Sequence, residues 1–152
     1  NHLGYELCAF NAVDRQGVPI YHTNVMMSVG TQLAVVCLES VALTDERQAL
    51  QARLEDSGKH LVALNWEQLE SFAGNMLEVQ GARGEPILVM SRTAWGSLDA
   101  GQRRMIEAYS TPLPVNIDTI ERIGGGSARC MLAEVYLNPQ LPASVAAEMG
   151  AR

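Results

Sequence analysis

Three successive glycines, Gly124-Gly125-Gly126, lead through Ser127-Ala128-Arg129 to Cys130. Consecutive glycines cost backbone entropy on folding, so such a run marks a turn that needs unusual dihedrals or the absence of side chains. A thiol set just beyond it stands where a small molecule could approach closely. A nucleophilic thiol needs its proton removed or its thiolate stabilised, and a hydrolytic step after it needs a base for water. The chain has three histidines, at positions 2, 22 and 60. His2 is near one end, and His60 follows Lys59 at a strand start. His22 sits with Thr23 and Asn24 in an otherwise apolar stretch, which makes it the partner to consider for Cys130. The plain alternatives are a tight turn before a buried cysteine, free cysteine being among the most buried residue types, and a hydrogen-bonded structural histidine. No Lys-Ser or Lys-Thr follows the glycines, so this is not a phosphate loop of the Walker type.

Other polar residues have weaker claims. Arg129 could hold a thiolate or a substrate carboxylate, or be a surface charge whose side chain points away from Cys130 on a strand. Asn24 and Asn75 could orient other groups, Asn75 following Gly74 at a turn. Glu78 and Glu134 interrupt apolar strands, and Glu39 ends another. Trp66, Trp95, Met26 and Met27 read as core. The cysteines at 8, 37 and 130 are widely spaced with no CxxC pair, so neither a disulfide framework nor a thiolate zinc site is expected.

The elements that must position these residues alternate along the chain. Strands are expected at Tyr5 to Phe10 and Gln32 to Leu38, with an extended segment from Ile20 to Ser28 between them. Thr44 is expected to cap a helix running to Asp56, stopped by Gly58, and His60 to Leu64 reads as a strand. Asn65-Trp66-Glu67-Gln68 is a capping-box pattern that opens a short helix. The second half repeats the order. Met76 to Val79 and Ile87 to Met90 form a strand pair through Gly81 to Gly84, and Asp99-Ala100-Gly101-Gln102 is a second capping box. Leu113 to Ile117 is a strand that Pro114 keeps from a central position. Asp118 to Glu121 is a third capping-box pattern, and Met131 to Leu137 reads as a final strand. The alternation predicts an α/β domain of two similar units.

The 152 residues suit one domain spanning 1–152. Hydrophobic residues make up 47% and charged residues 18%, with a formal charge of −6 and no basic run of five. Nucleic acid is therefore not an expected partner, because affinity for phosphate backbones comes from clustered cations. The apolar runs fall far short of the roughly 20 residues that cross a bilayer, and no basic-then-apolar leader is present, so the expectation is a cytoplasmic protein with no membrane partner.

His22-Thr23-Asn24-Val25-Met26-Met27, Asn75-Met76-Leu77-Glu78 and Gly124 to Glu134, with its glycine run ending in Arg-Cys-Met, together resemble the carboxyl-terminal half of the guanidino-group-modifying enzymes. This superfamily comprises arginine deiminases, dimethylarginine dimethylaminohydrolases and amidinotransferases, and the sequence is most similar to amidinotransferase-like citrulline-utilisation hydrolases. The resemblance implies a partial pentein-type α/β propeller of repeated ββαβ modules, completed by the amino-terminal half of the same protein. It implies Cys130 as the nucleophile on a guanidinium or ureido carbon and His22 as the proton carrier. Asn24, Arg129 and Asn75 would contact a small guanidino or ureido substrate, with no metal and no organic cofactor. Many relatives carry aspartate where this chain has Asn24, and a neutral amide offers no ionic grip to a guanidinium. A neutral ureido group suffers less from that change. The family's other substrate-gripping carboxylate would lie upstream of residue 1.

The function expected is hydrolysis of a non-peptide C–N bond through a covalent cysteine intermediate. Amidino transfer differs only in whether an amine or water meets that intermediate. A non-catalytic interaction domain on the same scaffold is the alternative from another class. Peptide cleavage is a weaker option, because the local signatures usual around a protease cysteine are absent.

Overall fold

A computed structural model of the protein describes residues 4–134. His22 ends an extended stretch and accepts at its side chain from the first turn of α1 (Thr23–Met26), which passes directly into β1 (Met27–Val29). The next strand, β2 (Leu33–Val36), is apolar throughout and buried at all four positions, as expected for a strand covered on both faces. A helical turn at Leu38–Ser40 leads to α2 (Thr44–Asp56), which turns Leu50 and Leu54 inward, and Gly58, at φ +79°, ends that segment ahead of β3 (His60–Ala63). Asn65 opens α3 (Trp66–Glu70) with a complete capping box.

The second unit follows the same order. It comprises β4 (Leu77–Gln80), β5 (Pro86–Ser91), α4 (Arg92–Ser97), α5 (Ala100–Tyr109) and β6 (Thr111–Val115). Asp99 opens α5 with another complete capping box, and α6 (Asp118–Gly124) leads to a helical turn at Ala128–Met131. In each unit the first two strands pair antiparallel and the third pairs parallel with the second. Met27 lies opposite Val36 and Leu33 opposite His60 in one sheet, Leu77 opposite Val89 and Ile87 opposite Thr111 in the other.

The units are joined through their capping boxes. Gln68 and Gln102, the third helical residues of α3 and α5, exchange side-chain hydrogen bonds at 2.6 and 3.0 Å. The same amides donate to the carbonyls of Ser97 and Ala63. His60 stacks on Tyr109, with ring centroids 4.0 Å apart. One apolar core runs beneath both sheets, including Met26, Val35 and Leu50 from the first unit and Met76, Leu88 and Ile106 near or within the second.

The α/β class and the doubled strand-strand-helix-strand order stand, but the propeller does not. The sheets are two separate three-stranded units, β1-β2-β3 and β4-β5-β6, and among the described residues neither closes into a barrel or propeller. The propeller is what the family resemblance implies, whereas the alternation of elements fixes only what a unit contains and not whether successive sheets close on one another.

Several local expectations also change. Residues 5–10 form no strand, and Tyr5 and Leu7 stay exposed. The extended segment before Ser28 contains the turn of α1. Leu43 rather than Thr44 is the N-cap of α2, without a side-chain bond. The third capping box is absent, because α6 starts from Ile117 and Glu121 turns elsewhere. The final strand is replaced by the helical turn that carries Cys130, and Val135 to Leu137 lie outside the described residues, as does His2. No helix among the described residues is long and apolar enough to cross a membrane.

Candidate active site

Cys130 is exposed on its helical turn, with its N–H donated to the carbonyl of Ser127 at 3.0 Å. Two features of the preceding sequence put it there. Gly125 takes the left-handed conformation at φ +67° and ends α6, a backbone state that costs glycine little. A side chain at Gly126 would press on the thiol, since its Cβ would lie 3.2 Å from both Cβ and Sγ of Cys130. The turn is anchored from below by Glu121, which is buried. Its carboxylate accepts from the Ser127 hydroxyl at 2.6 Å and from Thr93 at 2.7 Å. Sequence reasoning missed this anchor because the Asp118-to-Glu121 spacing matches a helix cap.

His22 is exposed, and its Nδ1 accepts the N–H of Asn24 at 3.3 Å. With Nδ1 an acceptor, the proton of the neutral ring belongs on Nε2. His22 and Cys130 share no direct hydrogen bond. The turn that carries Cys130 is linked to the helix that His22 caps through Asn75, which is buried. Its Nδ2 donates to the Asn24 carbonyl at 2.9 Å and approaches Cys130 Sγ at 3.3 Å, while its Oδ1 accepts the Arg129 N–H at 3.1 Å. Both amide hydrogens of Asn75 are thus used within the protein. Gly74 permits this approach, for a Cβ there would meet the Val25 carbonyl oxygen at 2.5 Å.

Arg129 lies on the helical turn, so the strand argument for its direction does not apply. Its guanidinium donates to the Met76 carbonyl at 3.4 Å. A cleft of about 390 Å³ lies beside it, lined by His22, Asn24, Arg129, Cys8 and Arg53 among others. Cys130 is not one of its walls. Among the described residues no hydrogen-bond donor meets Asn24 Oδ1, although the atom is buried. Arg53 is paired with Glu6, and that hydrogen bond, followed by the charge of Arg53, holds the Glu6 carboxyl below its usual range. Of the other acids, Glu78 accepts the Thr31 N–H at 2.8 Å and so ties β4 to the β1–β2 turn. Among the described residues no cluster of three or more His, Cys, Asp or Glu is arranged to hold a metal ion.

A sequence model for the family described as N,N dimethylarginine dimethylhydrolase, eukaryotic, matches residues 1–137. No curated protein sequence matches the chain. Among solved structures, the chain is similar to the apo form of ArgZ, an arginine dihydrolase from the ornithine-ammonia cycle in cyanobacteria, with a TM-score of 0.56 and 13% identity. That similarity covers 78% of this chain and 17% of ArgZ, so the chain spans under a fifth of that enzyme. At this identity the likeness is one of fold.

Proposed function

The chain belongs to the N,N dimethylarginine dimethylhydrolase family, and from that premise we propose that the complete protein hydrolyses a non-peptide C–N bond of a guanidino or ureido compound. Residues 1–152 then form the carboxyl-terminal half of a catalytic domain, and the amino-terminal half of the same protein supplies the remaining walls of the pocket.

The observation that carries this reading is the exposed Cys130 thiol, tied through one buried amide to the helix that His22 caps. In this mechanism the Cys130 thiolate attacks the central carbon of the substrate. His22 takes up the thiol proton as its Nδ1 gives up the Asn24 N–H, and passes that proton to the departing amine, which leaves as the carbon–nitrogen bond breaks. The imidazole then takes a proton from water, whose oxygen adds to the central carbon of the covalent thiouronium-type intermediate on Cys130, and collapse expels the thiolate with the hydrolysed product. Asn24 and Arg129 contact the substrate from the adjoining cleft. A ureido or guanidino N–H is the kind of donor that the buried Asn24 Oδ1 lacks, and the neutral amide favours an uncharged ureido group over a guanidinium.

The test uses the complete protein with arginine-like and citrulline-like compounds, in the presence and absence of an amine acceptor. Release of ammonia or amine without an amidinated acceptor is expected, with Cys130→Ala lowering turnover by about a thousand-fold or more. An amidinated acceptor would instead make the protein a transferase. Undiminished turnover by Cys130→Ala overturns the nucleophile assignment.

A further inference from the structure

The Asn75 carboxamide has a fixed orientation. Nδ2 donates to the Asn24 carbonyl at 2.9 Å and Oδ1 accepts from the Arg129 N–H at 3.1 Å. Reversing the amide would set oxygen against oxygen on one side and N–H against N–H on the other. In the observed orientation the second Nδ2 hydrogen and the remaining Oδ1 lone pair both face Cys130, whose Sγ is 3.3 Å from Nδ2 and 3.5 Å from Oδ1. Asn75 is buried, and Gly74 beside it lies hard against the backbone of α1, so the amide has little room to turn.

We propose that Asn75 is a two-state clamp on the Cys130 sulfur: its Oδ1 accepts the S–H of the thiol, and its Nδ2–H holds the thiolate once the proton has left to water or to His22. Ionisation then exchanges one hydrogen bond for another without rotation of a buried side chain. The same amide fixes the distance between the Cys130 turn and the helix capped by His22. Asn75 thereby prepares the nucleophile instead of gripping substrate. As a statement about catalysis this rests on the reading of Cys130 as nucleophile; as a statement about the sulfur it stands separately.

The experiment follows iodoacetamide alkylation of Cys130 by peptide mass spectrometry across neutral and alkaline pH, in the complete protein and in its Asn75→Asp and Asn75→Ala variants. Asn75→Asp keeps the shape but replaces the thiolate donor with a second acceptor, and Asn75→Ala removes both partners. In each, Cys130 is expected to react roughly ten-fold more slowly at neutral pH, the scale of one lost hydrogen bond to a charged group. The whole rate profile should move to higher pH. A merely structural role would lower the melting temperature and leave that profile in place. Asn75→Leu, close to asparagine in shape but without donor or acceptor, replaces any variant that fails to give a native melt, with the same expectation. Unshifted profiles in the folded variants overturn the clamp, even where Cys130→Ala is inactive. Full turnover by Cys130→Ala alongside shifted profiles removes the nucleophile reading and leaves the clamp intact.

Discussion

Glu121 reaches the candidate site only through other residues. It is buried and accepts from both the Ser127 and Thr93 hydroxyls, so Glu121→Ala leaves two hydroxyls without their acceptor. A loss of about 1–3 kcal/mol in urea unfolding is expected, on the scale of one buried polar group left unpaired, since Ser127 is buried while Thr93 is exposed and can turn to water. Glu121→Ala should also slow Cys130 alkylation by loosening the turn beneath the thiol. Cys37 offers a contrast, because burial pushes its thiol above the usual cysteine range. It should resist alkylation in the native protein and label only on unfolding. The unfolded thiol, near its ordinary value of 9.0, ionises before the folded one. Cys37 therefore contributes stability that is fully present below that value and is lost as pH rises through the folded one, which pH-dependent urea melts of the parent and Cys37→Ala would show. The sequence drew attention to Cys130 and His22 because thiol and imidazole are rare reactive types beside a glycine run and a polar break. It could not show that Asn75 joins them, for its partners lie 51 and 55 positions away in the chain.

Local rules were legible in the elements wherever a side chain answers to its own neighbours. The capping boxes at Asn65 and Asp99 form as spaced, and α2 runs over its expected residues. The same pattern at Asp118 fails because Thr93 and Ser127 offer Glu121 tertiary partners that a cap would forgo. Residues 5–10 look like a strand by composition, yet a strand needs an edge to pair with. Gln68 and Gln102 do more than cap, since their mutual hydrogen bonds couple the two units. A double-mutant cycle with Gln68→Ala and Gln102→Ala should give a coupling of about 1 kcal/mol, where additive losses would show that each amide serves only its own helix. Gly74→Ala places a methyl against the Val25 carbonyl at 2.5 Å. It should cost about 1–3 kcal/mol by overpacking and lower turnover with it, and a variant of parental stability would mean that α1 yields freely.

At the scale of the whole molecule the α/β class was readable, whereas the closure of the sheets was not, since closure depends on contacts between units that no single unit encodes. Two open sheets over one core leave Cys130 exposed and outside the cleft that His22 lines. On the proposed reading, in which an amino-terminal half completes the pocket, residues 1–152 alone are expected to turn over substrate far more slowly than the complete protein, and equal rates per molecule would overturn that reading.

Among the described residues β6 lies at the margin of its sheet, paired with β5 alone, and carries Pro112 and Pro114. The two prolines share parity along the strand, so the amide protons they lack are all missing from one side, and prolines within sheets are confined to edges where that side meets no partner. A foreign strand laid along that border would find carbonyls but too few protons to match them. The prolines thus act as a selvedge that keeps the sheet from unravelling into fibres with its neighbours, a protection that Pro112→Val with Pro114→Val should remove, visibly, as turbidity on standing.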